Sequence, residues 1–120
     1  MYDDHRSNEF DDRRTLCVMP LEHPDRDEIE LTAVLHALSD PQRLRIVAVL
    51  AADEEPRACG SFGLEITKST CTHHFRVLRE AGVIEQWREG AAKLSSLRRA
   101  DLEARFPGLL DAVLAPAAVA

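Results

Sequence analysis

The apolar residues change their spacing at one glycine. In KSTCTHHFRVLREA (residues 68–81), Cys71, Phe75 and Leu78 share one face of a helix that advances about 100° per residue, and Gly82 ends it. VIEQWR (residues 83–88) then alternates with a period near two and reads as a strand. Glu89-Gly90 is a turn signal, weaker than Asn-Gly, and residues 91–97 read as a returning strand that is poor in β-branched residues. Thr67 is placed to cap the helix. A long amphipathic helix that runs through one glycine into a hairpin is therefore the centre of this chain.

Helices flank it on both sides. Ile29, Leu31, Val34, Leu35 and Leu38 recur at helical spacing and predict a helix over residues 28–39. Asp40-Pro41 reads as an N-cap followed by proline at the first helical position, where its missing N–H costs nothing. The helix it opens, residues 41–52, is nearly apolar outside Arg43 and Arg45, as a central core helix would be. RACGSFGLE (residues 57–65) has room for a turn or two of helix. Residues 99–114 are helical, with Pro107-Gly108 splitting or kinking them, and the tail is expected to fray over residues 116–120. A short helix joined by a tight turn to a longer one is the helix-turn-helix arrangement, whose second helix enters the DNA major groove. The hairpin behind it makes it winged. The expected fold is mainly α with a small two-stranded β-hairpin wing, in one domain at 27–115 behind an acidic, partly mobile arm at 1–26.

Charge and composition narrow the function. The net charge is −6, which on its face disfavours nucleic acid. Residues 57–99, however, hold eight basic and four acidic residues and form the only positive block. No apolar run approaches the roughly 20 residues of a membrane span, and the charged start MYDDHRSNEFDDRR lacks the apolar stretch of a secretory signal, so the expected location is cytoplasmic. The three cysteines, Cys17, Cys59 and Cys71, are widely spaced and do not form a disulfide framework. No GxSxG, HExxH, P-loop or GxGxxG motif occurs, so an enzyme is not expected.

The helix at 68–81 divides by geometry. Ser69, Thr72, His73, Arg76 and Glu80 gather opposite the apolar face, with Lys68 and Thr70 in the first turn, near the positive end of the helix dipole. Hydroxyls, an imidazole and a guanidinium on one solvent face suit phosphates and base edges. The adjacent His73 and His74 point about 100° apart and so are not a natural chelating pair, because metal-binding helices space ligands by three or four. His74 falls beside the core stripe.

ALSDPQRLRI (residues 37–46) and STCTHHFRVLREAGVI (residues 69–84), with the hairpin behind them, resemble the ArsR/SmtB family of winged-helix repressors over roughly residues 28–115. The resemblance implies a homodimer built from the helices at 28–39 and 99–114. It also implies binding to a double-stranded operator of two-fold character through the helix at 67–81 and the wing. Base reading would fall to Ser69, Thr72, His73 and Arg76, with phosphate anchoring by Lys68, Arg88, Lys93 and Arg98 and Thr70 nearby. Arg43 and Arg45 would be surface ion-pair partners or approach the DNA backbone.

Many relatives release DNA when a metal binds. Here Ala58-Cys59-Gly60-Ser61 has one thiol where such relatives often carry a Cys-x-Cys pair, and the C-terminal helix has no histidine. His5, Cys17, His23 and Cys59 are of the right types for Ni or Zn, although their spacing does not define a site. Metal ion, thiol oxidation and no effector all stay open. The rival reading is a winged-helix protein-interaction module without DNA readout, supported by the acidic total charge and by Glu89 offsetting Arg88 at the wing tip.

Overall fold

The computed structural model describes residues 18–53, 56–58 and 67–119. Strand β1 (Val18–Pro20) leads into a short 3-10 turn at Arg26–Glu28. Helices α1 (Leu31–Leu38) and α2 (Pro41–Ala52) follow, then β2 (Arg57–Ala58) and α3 (Lys68–Ala81). The hairpin of β3 (Ile84–Glu89) and β4 (Ala92–Leu97) comes next, and α4 (Arg99–Arg105) and α5 (Leu109–Val119) close the chain.

The expected caps form. Asp40 accepts from the backbone N–H of Gln42 at 2.9 Å and of Arg43 at 3.1 Å, with Pro41 at the first helical position of α2. Burial raises the Asp40 pKa, but these amides more than offset it, and the carboxyl stays below its ordinary value. Thr67 accepts from the Thr70 amide at 3.2 Å and so starts α3. Gly82 ends α3 in the left-handed region (φ 87°), and Val83 N–H reaches back to the Leu78 carbonyl at 3.0 Å, the pattern of a Schellman C-cap. The chain breaks between α4 and α5 at Pro107-Gly108, as expected.

The core lies between the helices and one face of the hairpin. Val34 and Leu38 of α1, Ile46, Val47 and Leu50 of α2, and Phe75 and Leu78 of α3 meet Val83, Ile84, Leu102 and Leu110 there.

The structure departs from the sequence reading in several places. The hairpin is joined on each side, so the described strands form one antiparallel sheet in the order β1-β3-β4-β2, with Val18 opposite Glu89 and Arg57 opposite Ser95. Arg57–Ala58 is thus a strand and not the start of a short helix, and residues 59–66 lie outside the described residues. The first helix begins at Leu31 and not at residue 28, because the Asp25 N–H donates to the Glu28 carboxylate at 2.8 Å and closes a separate turn. Helix α5 continues past Pro116 to Val119 where fraying was expected.

Residues 18–30 are also not a loose arm. Leu21 N–H donates to the Gln86 carbonyl at 3.3 Å, and Gln86 N–H donates to His23 Nε2 at 2.8 Å. Arg98 donates to the Pro24 carbonyl at 2.8 Å. Asp101 accepts from both Arg26, at 2.7 Å, and Arg98, at 2.8 Å. Burial raises the Asp101 pKa, but these two guanidiniums outweigh it and hold the carboxyl below its ordinary value. The segment ends by seating Ile29 on Gly82, so it straps the hairpin to α4 and to the end of α3.

Candidate nucleic-acid interface

Helix α3 presents the two faces its sequence specifies. Phe75 and Leu78 are buried, and Cys71 is half-buried against the core. Ser69, Thr70, Thr72, His73, Arg76 and Glu80 are exposed. Arg76 Nη2 lies 3.3 Å from His73 Nδ1, which tethers the guanidinium to its neighbour one turn back. Thr70 is only partly available, since its Oγ1 already accepts from the Thr67 hydroxyl at 2.8 Å. Lys68 is the first residue of α3.

The wing carries the second half of the site. Arg88 on β3 and Lys93 on β4 are directly opposite in register. Like charges in opposed cross-strand positions destabilise a hairpin. Among the described residues neither is paired with a carboxylate. An anion such as a phosphate would offset that repulsion. The hairpin turns at Gly90, with φ 65°, beyond Glu89.

Two arginines fall elsewhere than expected. Arg98 is half-buried and committed to Asp101 and Pro24, so it is no phosphate anchor. Arg43 is buried at 7 % exposure and bonds inward, so it is not a surface ion-pair partner and offers no guanidinium to a ligand in solvent, whereas Arg45 is exposed.

Sequence reasoning also missed the polar chain behind α3. Arg79 donates to Gln86 at 2.7 Å, and Gln86 donates to Ser95 at 3.0 Å, with Gln86 and Ser95 fully buried. Alternation was the available signal: Ile84 and Gln86 point the same way from β3.

Of the candidate metal ligands, His5, Cys17 and Cys59 lie outside the described residues. His23 Nε2 is taken by the Gln86 amide. Among the described residues no group of three His, Cys, Asp or Glu side chains could hold a metal ion.

A long helix with an outward face of hydroxyl, imidazole and guanidinium groups, followed through one glycine by a hairpin that sets Arg88 opposite Lys93, is the arrangement of a winged helix-turn-helix DNA-binding protein. Comparison with known proteins places it more closely. A family model described as a helix-turn-helix domain matches residues 38–86. The uncharacterized HTH-type transcriptional regulator YceK of Bacillus subtilis is 35% identical over 80 residues, which are 65% of this chain and 80% of that protein. The crystal structure of the transcriptional repressor BigR from Xylella fastidiosa superposes with a TM-score of 0.56 at 25% identity, covering 89% of this chain and 92% of that one. The chain belongs to the helix-turn-helix transcriptional regulators, as its resemblance to the ArsR/SmtB family implied. It is a DNA-binding regulator and not an enzyme.

Proposed function

We propose that the protein is a cytoplasmic homodimeric repressor that binds a two-fold operator. Ser69, Thr72, His73 and Arg76 read base edges, while Lys68, Thr70, Arg88 and Lys93 hold phosphates. The opposed Arg88 and Lys93, unpaired with any carboxylate among the described residues, carry this reading. They sit on the hairpin that begins three residues after α3 ends.

Dimerisation is supported by α1, where Leu31 and Leu35 stand one turn apart at 44 % and 45 % exposure. Two large apolar side chains on one stripe favour burial against a second copy. The transcriptional repressor BigR is the structural relative that supports repression as the sign of regulation. No helix among the described residues is long and apolar enough to cross a membrane. Arg76→Ala tests the assignment: operator affinity falls by about 1–3 kcal/mol with the fold intact. Unchanged affinity would remove Arg76 from the interface.

A further inference from the structure

The buried Arg43 reaches three groups on two other helices. Its Nε donates to the Ala37 carbonyl at 2.7 Å, and its Nη2 approaches the His36 carbonyl at 3.3 Å. Both carbonyls belong to the last turn of α1, where the helix dipole is negative, and the His36 carbonyl also accepts from the Ser39 N–H at 3.1 Å and hydroxyl at 2.7 Å. Its Nη1 lies 3.2 Å from Nδ1 of His74, which is buried at 8 % exposure on the inner side of α3. A guanidinium only donates, so Nδ1 must accept and the ring proton sits on Nε2. That nitrogen faces Asp40 Oδ2 at 3.8 Å, on the cap of α2. One side chain of α2 thus holds the end of α1 and the inner face of α3 together.

The position of Arg43 argues that this is more than packing. Arg43, Ile46, Val47 and Leu50 are the buried residues of α2, spaced as one helical stripe. An apolar side chain would fill the same place, and replacing buried charged groups by apolar ones is often neutral or stabilising. What apolar contact lacks is direction. The His74 ring also stands 5.9 Å from the His73 ring, and His73 Nδ1 lies against Arg76. A route of contacts therefore runs from α1 through Arg43 and His74 to the outward Arg76.

We propose that Arg43 and His74 are positioning residues that fix the recognition helix against α1, so that sequence discrimination depends on a clasp that never touches DNA. The proposal rests on α3 being the DNA-reading helix, which Arg76→Ala tests separately because it leaves the clasp in place.

The test uses a duplex selected by the wild-type protein from a random pool, with an unrelated duplex of equal length as reference. His74→Leu keeps the volume and removes the acceptor; His74→Asn keeps an acceptor near the place of Nδ1. His74→Leu should lower affinity for the selected duplex by roughly tenfold or more, since small misplacements of a recognition group are costly, while hardly changing affinity for the unrelated one. His74→Asn should restore most of the loss. Nitrogen NMR of the wild-type protein should show an unprotonated His74 Nδ1 whose signal moves in Arg43→Met. The clasp is overturned if His74→Leu binds the selected duplex like wild type, or if it weakens both duplexes equally with no recovery in His74→Asn. It is also overturned by a protonated Nδ1 in the wild-type protein. Should His74→Leu fail to fold, the tautomer and the affinity of His74→Asn still decide, since loss of discrimination in His74→Asn contradicts the proposal.

Discussion

Gly82 meets two requirements at once. Its φ of 87° lies where L side chains are strained, and a Cβ there would stand 2.6 Å from Cγ1 of the buried Ile29. Gly82→Ala should destabilise the fold by about 2–4 kcal/mol, from left-handed backbone strain plus overpacking, measured as a lowered urea midpoint. The stop at Gly82 was legible from sequence because the apolar period changes there; the Ile29 contact was not, because 53 positions of chain separate the two residues. Arg43 shows the opposite failure. Its spacing from Ile46, Val47 and Leu50 placed it on the buried stripe, but its charge outweighed the spacing in a reading by residue type. His74 followed its spacing and is buried.

Among the elements, the helices and hairpin were legible because each spans enough residues to show a period, and α2 and α3 also carry their own caps in Asp40, Thr67 and Gly82. The outer strands were not. β1 has three residues and β2 two, and a segment so short has no measurable alternation. Their place is set by the free edges of β3 and β4, which is tertiary information.

The strap that β1 begins has a testable property. His23 Nε2 accepts the Gln86 N–H, which only an unprotonated nitrogen can do. Burial lowers the His23 pKa from its ordinary value of 6.5; Glu85 opposes this, and Arg98 and Arg79 reinforce it. The unfolded chain therefore binds more protons below that value, and stability falls with falling pH. The contribution of His23 is complete above the ordinary imidazole range and is lost as pH drops through the lowered value. Thermal midpoints at about pH 7.5 and about pH 5.5 should differ more for wild type than for His23→Gln, whose amide oxygen can accept at both. An equal difference would show that the latch does not titrate.

For the molecule as a whole, the acidic total conceals the distribution that matters. A net charge of −6 coexists with a basic block at residues 57–99 that contains α3 and the wing. The dimer belongs to the same scale. Leu31→Glu with Leu35→Glu should yield monomers in sedimentation and weaken operator binding. Each leucine has less than half its surface left to bury, so it contributes about 0.7–1.4 kcal/mol to association. A stable dimer in this variant would move the interface off α1.

In the function proposed above, the outward face of α3 and the wing together read DNA. Titration of the selected and the unrelated duplex over a series of salt concentrations, with wild type and Arg76→Ala, tests it most directly. Wild-type affinity should fall steeply with salt on both duplexes, as phosphate contacts require, and Arg76→Ala should lose about 1–3 kcal/mol on the selected duplex alone. No binding to either duplex at low salt, or an Arg76→Ala protein that discriminates as wild type does, would contradict it.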